Sequence, residues 1–169
     1  MLYTIIRKER LNKYRNKICQ LNFLKHKKIE VMNAFGLKAY DYSKIKVMTG
    51  NGRKLTDQEK AVLSVESYDR KIRELEAEIQ PEKEELEKQI DRVDSESTNW
   101  RHAEALRSFY LFGESKQEAA SRVYGESTKQ DVKNLNDILR TALEFLEKVS
   151  SNSFVEIQKY NIEDWEDDK

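Results

Sequence analysis

The sequence has very few of the residues that interrupt or cross-link a chain: one cysteine, one proline and five glycines among 169 residues. The lone thiol, Cys19, excludes an internal disulfide and favours a reducing compartment. So few turn-forming residues leave little opportunity for many short elements, and this composition is typical of long helices. We therefore predict an all-α fold.

Long apolar runs are also missing. No stretch approaches the roughly 18–20 apolar residues that a membrane-spanning helix needs, and residues 1–7 hold too short an apolar stretch for a secretory signal. Charged residues make up 37% of the chain, and its mean hydropathy is −0.86. We expect a cytoplasmic protein that does not contact a membrane.

Motifs for catalysis or metal binding are absent from the sequence. His26 and His102 are isolated, and no HExxH or CxxC spacing occurs. The turn Gly50-Asn51-Gly52 lacks the remaining residues of a phosphate-binding loop. The sequence thus predicts a protein that binds a macromolecule and is not an enzyme, with no cofactor and no metal site.

Charge is distributed unevenly, although the net charge is zero. Residues 1–54 hold 14 basic and 3 acidic side chains, whereas residues 55–100 hold 7 basic and 14 acidic ones. Residues 101–149 hold 8 basic and 8 acidic side chains, and residues 150–169 hold 2 basic and 6 acidic ones. Such a separation indicates either pairing between segments of the chain or a basic end that binds a polyanion.

The first half of the chain predicts two long helices. One runs from about residue 2 to 32 and ends near Gly36, and residues 37–55 form a connector. The second helix opens with a capping box, in which Thr56 and Glu59 satisfy each other's backbone N–H groups. Pro81 either kinks this helix or begins a new one, and the acidic residues that follow it favour a new start.

Heptad spacing gives the second helix an apolar seam, which we assign to oligomerisation. An alternative is that the seam pairs within the chain against the apolar stripe of the first helix, formed by Leu11, Tyr14, Ile18 and Leu21. Because a four-helix arrangement would allow both, we expect a homodimer without excluding the intrachain helical hairpin or coiled coil. The seam residues are Val65, Tyr68, Ile72, Leu75, Ile79 and Leu86.

The second half of the chain predicts a compact domain of three helices. It follows the polar cluster at residues 95–99, and its helices are separated by Gly113 and Gly125. Capping boxes are expected at Ser115 and at Ser127. We assign residues 1–96 to the basic helix, connector and acidic helix, residues 97–149 to this domain and residues 150–169 to an acidic tail. We expect the Ser150–Ser153 run to end the last helix.

The last two helices and their short connection have the layout of a helix-turn-helix. Ala119 and Ala120 would allow close helix packing. Amide side chains can bind adenine through two hydrogen bonds, and lysines can reach guanine or phosphate, so the start of the last helix predicts a DNA-reading face. This face comprises Thr128, Lys129, Gln130, Lys133 and Asn134.

Residues 106–146 resemble the C-terminal domain of phage-encoded late-gene transcriptional regulators of Gram-positive bacteria, the ArpU- and RinA-like proteins. That domain is itself similar to region 4 of sigma factors. The order of a basic helix, a connector, a long charged helix and a C-terminal helix-turn-helix is similar as well. Ala120 and Gly125 lie five residues apart, where the family pattern has four. The resemblance implies a DNA-binding transcriptional regulator of phage or mobile-element origin.

Double-stranded DNA is therefore the expected partner, with RNA polymerase or another host protein as a further one. The N-terminal helix supplies additional phosphate contacts in this interpretation, through Lys13, Arg15 and Lys17. Two alternatives remain open. The chain could be a small phage protein-interaction module or inhibitor that binds a host protein, or the recognition subunit of a DNA-packaging machine.

Overall fold

A computed structural model describes residues 8–37 and 55–166, with the backbone alone for residues 152–166. Every regular element within these ranges is a helix, so the all-α prediction is confirmed at this level. The expected turn at Gly50-Asn51-Gly52 lies outside the described residues. The helices are α1 (Lys8–Ala34), α2 (Asp57–Glu96), α3 (Arg101–Leu106), which continues into a π-helical turn (Arg107–Leu111), α4 (Lys116–Tyr124) and α5 (Lys129–Glu166).

Helix α1 ends at a left-handed glycine, as predicted. Gly36 has a φ of 63°. The amide of Leu37 donates to the carbonyl of Met32 at 2.8 Å. The amide of Gly36 donates to the carbonyl of Asn33 at 3.2 Å. This pair of bonds is a Schellman motif, which satisfies carbonyls that the helix end would otherwise leave unpaired.

Helix α2 begins at the predicted capping box. The Thr56 amide donates to Glu59 Oε2 at 2.8 Å, and the Glu59 amide donates to Thr56 Oγ1 at 3.2 Å. The new helix start that we favoured at Pro81 is wrong, because α2 is continuous from Asp57 to Glu96. Pro81 removes one donor to the carbonyl four residues before it. Since Ala77 and Pro81 are both exposed, water can replace that donor.

Helix α5 continues beyond the serines that were expected to end it. The hydroxyl of Ser150 donates to the carbonyl of Glu147 at 3.0 Å, and that of Ser151 donates to the same carbonyl at 2.7 Å. Hydroxyls that bond back to the preceding turn do not compete with the helix by capping a new one. The helix therefore runs on to Glu166, and the predicted break at Ser150–Ser153 is wrong.

The chain divides into two compact units, residues 1–18 with 81–169 and residues 19–80. The domain boundary that we expected at residue 97 falls inside the first unit. Helices α1, α2, α3, α4 and α5 each contribute buried side chains to that unit. Its fully buried members include Tyr14, Leu86, Ile90, Leu106, Leu135 and Leu146.

The described core of residues 19–80 is smaller. One cluster in it is formed by Leu37, Ala61, Val62 and Val65, with Val31 and Met32 packed against it. Leu21, Ile72 and Ile79 are also buried in this unit. Among the described residues, ion pairs join α1 to α2 in this unit. Lys28 Nζ lies 2.6 Å from Asp69 Oδ1, and Lys25 Nζ lies 2.7 Å from Glu76 Oε1.

Candidate nucleic-acid interface

Helix α4 presents small residues to its neighbours. It opens with the predicted capping box, in which the Glu118 amide donates to Ser115 Oγ at 3.3 Å and the Ser115 amide donates to Glu118 Oε2 at 2.8 Å. The hydrogen bonds from Ser115 lower the pKa of Glu118. Ala119 and Ala120 are completely buried, as expected for helices that approach closely.

A short connection, residues 125–128, joins α4 to α5. Gly125 has a φ of 84°, and its amide donates to the carbonyl of Ser121 at 2.8 Å. Thr128 caps α5, because the Asp131 amide donates to Thr128 Oγ1 at 3.2 Å and the Thr128 amide donates to Asp131 Oδ2 at 3.0 Å. The capping box that we predicted at Ser127 is therefore displaced by one residue.

The first two turns of α5 carry the predicted reading residues. Thr128, Lys129, Gln130 and Lys133 are exposed, and Asn134 is half-buried. Gln130 Nε2 donates to Asn134 Oδ1 at 2.9 Å, so the two amides form a pair across one helical turn. On the opposite side of the helix Leu135 is completely buried. The helix thus separates a packed face from a polar, partly cationic one.

The three basic residues predicted on α1 have different environments. Lys13 is exposed. Lys17 Nζ lies 3.6 Å from Glu82 Oε2. Arg15 is half-buried, and its guanidinium donates to the carbonyls of Phe109 and Glu114, both at 3.0 Å. The same guanidinium lies 4.2 Å from the centre of the Phe109 ring.

Arg15 therefore holds a segment of the fold in place. The two carbonyls that it binds lie in the π-helical turn and in the loop before α4, where backbone groups lack helical partners. Sequence reasoning did not find this role, because backbone acceptors 94 and 99 residues away leave no mark on the local sequence.

A groove of about 540 Å³ lies beside the reading face, within the first unit. Its apolar floor includes Phe109, Tyr110, Leu139 and Leu143. Three basic residues line it from three different segments: Lys8 of α1, Lys116 of α4 and Arg140 of α5. Its other polar lining residues are Asn12, Asn136, Glu144 and Glu147. No pattern in the sequence predicts this convergence, since the cations are widely separated along the chain.

A second basic side chain braces the loop before α4. Arg122 pairs with the carboxylate of Glu114, and this hydrogen bond raises the pKa of Arg122. The Arg122 guanidinium also lies 5.3 Å from the centre of the Phe112 ring. Phe112 is 42% exposed, so this stack is at the surface.

An aromatic cluster that sequence reasoning missed lies near the end of α4. The guanidinium of Arg101 lies 5.7 Å from the ring centre of Trp100 and 5.3 Å from that of Tyr124. Trp100 is 57% exposed. Exposed tryptophan, tyrosine and arginine are the residue types that most often dominate binding energy at protein interfaces.

The predicted oligomerisation residues are largely covered by the chain itself. Val65, Ile72 and Ile79 are buried in the unit of residues 19–80, where Tyr68 and Leu75 are half-buried, and Leu86 is completely buried in the other unit. Most of their apolar surface is thus already removed from water within one chain.

In the part of the chain that the structure describes, no group of three or more His, Cys, Asp or Glu residues is placed to hold a metal ion. His102 packs at 6.3 Å from the Phe145 ring, and its Nδ1 lies 2.8 Å from Ser97 Oγ. Burial lowers the pKa of His102.

None of the helices over residues 8–37 and 55–166 combines the length and the apolar character needed to cross a membrane. Comparison with protein-family models, with curated proteins and with solved structures gave no match to this chain.

Proposed function

We propose that this chain is a DNA-binding transcriptional regulator, in which α4 and α5 act as a helix-turn-helix and α5 is the recognition helix. The observation that carries the proposal is the two-sided start of α5. Leu135 is completely buried, as are Ala119 and Ala120 of α4, which packs against α5, while Lys129, Gln130 and Lys133 remain exposed. A recognition helix needs this arrangement, because one face must be fixed while the N-terminal residues of the other reach base edges.

The amide pair gives this face a defined chemistry. With Gln130 Nε2 bonded to Asn134 Oδ1, the pair still presents the Gln130 carbonyl oxygen as an acceptor and the Asn134 NH2 as a donor. Adenine offers a complementary donor and acceptor, N6–H and N7, in the major groove. We propose that these two residues read bases, whereas Lys129 and Lys133 contact guanine or phosphate.

The remainder of the chain would act as a helical support, an intrachain hairpin of α1 and α2. Ion pairs between the basic α1 and the acidic α2 favour this arrangement in both units: Arg10 Nη2 lies 2.6 Å from Glu85 Oε2 in one, and Lys28 pairs with Asp69 in the other. Burial of the seam within one chain favours the hairpin over a dimer through the same residues. Sedimentation equilibrium over a wide concentration range tests the homodimer, which stays a prediction.

The reading face can be tested by separating base readout from phosphate contact. Gln130→Ala and Asn134→Ala should each cost about 1–3 kcal/mol on the native promoter site and almost nothing on random DNA. Lys133→Ala should weaken binding to both and reduce the salt dependence by about one unit. Thr141→Ala, an exposed substitution further along α5, is the matched control and should change neither.

The binding measurements are made with and without RNA polymerase, because the balanced charge of residues 101–149 predicts weak intrinsic affinity. If all three substitutions leave binding and transcription unchanged in both conditions, α5 is not a recognition helix and the proposal is wrong.

A protein-interaction module is the second candidate, and the exposed Trp100 and Phe112 favour it. These side chains lie outside the predicted reading face. Retention of the purified protein on immobilised duplex DNA at low salt separates the two functions. A DNA-binding regulator is retained and elutes as the salt rises, whereas a pure protein-binding module passes through.

A further inference from the structure

The three basic residues that line the groove beside α5 come from segments that are far apart in the chain. Lys8 begins α1, Lys116 begins α4 and Arg140 lies in the first third of α5. From this convergence we infer that the groove is a phosphate-contacting site for duplex DNA that flanks the bases read by α5. The inference rests on the proposed DNA-binding function and identifies which cations hold the backbone.

The groove continues the reading face along α5. Lys129, Lys133 and Arg140 are four and seven residues apart, a spacing that places them on one side of a helix. All three are exposed. DNA bound at the first turns of α5 extends past the helix on both sides. Its phosphate backbone would therefore run over the groove, which Arg140 and Lys116 line on the same side of α5. Base readout and backbone contact thus share one surface.

Neutral donors in the groove suit the same ligand. Asn12 and Asn136 line it together with the three cations, and asparagine amides commonly donate to phosphate oxygens. Asn136 Nδ2 donates to the Val132 carbonyl at 2.9 Å and keeps one further hydrogen for a ligand. The floor of Phe109, Tyr110, Leu139 and Leu143 provides an apolar surface against which deoxyribose can pack. The lining therefore combines charge, neutral donors and apolar area.

Acidic residues limit this site on one side. Glu144 and Glu147 also line the groove, one and two helical turns beyond Arg140, and Asp137 Oδ1 lies 3.7 Å from Arg140 Nη2. Glu147 is about 10 Å along the helix axis from Arg140, a distance comparable to the screening length at physiological salt. The phosphates should therefore contact the end of the groove nearest α4, and the carboxylates should oppose binding.

This assignment replaces part of the sequence-based prediction for α1. Arg15 is committed to two carbonyls and Lys17 lies near Glu82, whereas Lys8 lines the groove. On α1, Lys8 therefore lines the same groove as Lys116 of α4 and Arg140 of α5.

The test compares two double variants that remove the same charge. Lys116→Gln/Arg140→Gln removes cations of the groove, and Lys88→Gln/Lys148→Gln removes exposed cations of α2 and α5 that do not line it. Binding of a short labelled duplex of random sequence is followed by fluorescence anisotropy at several salt concentrations. Circular dichroism melts verify that both variants remain folded.

The groove variant should lower the slope of log K against log salt by nearly two units, since each lost phosphate contact removes about 0.9. The control should leave the slope almost unchanged. Lys8→Gln should remove a further unit, and Glu144→Gln/Glu147→Gln should raise the affinity, which a loss of folding cannot do.

If the groove and control variants reduce the salt slope equally while the wild-type protein binds DNA, the groove assignment is wrong. The proposed function is left intact in that case. The same holds if an acidic peptide, and not duplex DNA, competes at the groove. Failure of the wild-type protein to bind duplex at low salt overturns the proposed function itself, so the two failures are distinguishable.

Discussion

Residues 19–80 and the unit of residues 1–18 and 81–169 are held together in different ways. In the unit of residues 1–18 and 81–169, five helices contribute buried side chains, and Arg15 binds carbonyls nearly a hundred residues away. In residues 19–80 the described buried side chains are fewer and belong to two helical segments, which partly exposed ion pairs also join. This unit also leaves Phe23 and Ile29 more than half exposed.

This difference has energetic consequences. Partly exposed ion pairs contribute at most about 1 kcal/mol each and are weakened by salt, whereas each fully buried leucine contributes about 1.5–3 kcal/mol. We therefore expect the unit that carries the candidate DNA interface to be the more stable one. Hydrogen exchange should find its amides protected more strongly than those of residues 19–34 and 57–80.

Truncation of a fully buried side chain should produce the largest effect. Leu135 is completely buried, so Leu135→Ala leaves a cavity in the core and the free energy of unfolding should fall by about 2–5 kcal/mol. Urea denaturation measures the loss. Lys133→Ala, two residues away and exposed, should stay within about 0.5 kcal/mol of wild type. Similar losses for both substitutions would mean that Leu135 is not in a packed core.

Removal of the Arg15 side chain should have the next largest effect. Arg15→Ala leaves the Phe109 and Glu114 carbonyls without their donor, and we expect a loss of about 1.5–3 kcal/mol because both groups are only partly shielded from water. Arg15→Lys should recover only part of this, since an ammonium lacks the planar fork that reaches two acceptors. The exposed Lys13→Ala is the control. Full recovery by lysine would contradict the two-carbonyl role.

The two units can be compared at the same kind of position, a left-handed glycine at a helix end. Gly36 and Gly125 have φ values of 63° and 84°, and a Cβ at either would meet no neighbour within 4 Å. Each glycine-to-alanine substitution should thus cost only the backbone term, about 1–2 kcal/mol. Asparagine, which tolerates this conformation, should cost less. Thermal melts test this, and equal losses for alanine and asparagine would contradict the backbone explanation.

Local features were the ones that the sequence predicted well. The capping boxes at Thr56 and Ser115 and the helix end at Gly36 depend on residues within five positions of each other, and all three are present. The third box was displaced to Thr128 because adjacent hydroxyls, Ser127 and Thr128, are both followed three residues later by a suitable acceptor. Local rules alone do not choose between such neighbours.

Features that depend on packing could not be predicted in this way. Proline usually ends a helix, but Ile79 and Leu86 are buried on either side of Pro81, and packing can offset a local cost of about 3 kcal/mol. The composition of the groove has the same origin. Lys8, Lys116 and Arg140 come together only because the fold brings their three helices together, so local sequence patterns did not group them.

The smallest expected effect is a dependence of stability on pH that arises from His102. Burial lowers the pKa of this imidazole in the folded chain, so between the folded pKa and the unfolded value of about 6.5 the unfolded chain binds more protons. The free energy of unfolding therefore rises with pH through this window. The contribution of the neutral His102 imidazole to the free energy of unfolding is complete above the unfolded pKa. It is lost as the pH falls toward the folded pKa.

His102→Gln removes this titration, while other groups still titrate in both proteins. Urea midpoints at about pH 5 and about pH 7.5, which span the usual range of histidine titration, should differ more for wild type than for the variant. Ser97→Ala, which removes the 2.8 Å contact to Nδ1 but keeps the imidazole, should retain the wild-type slope. Parallel pH profiles for wild type and His102→Gln would show that the ring is as accessible to protons in the fold as in the unfolded chain. That result would contradict the burial of His102 against Phe145 of α5. It would also weaken the expectation that this unit is the more stable one.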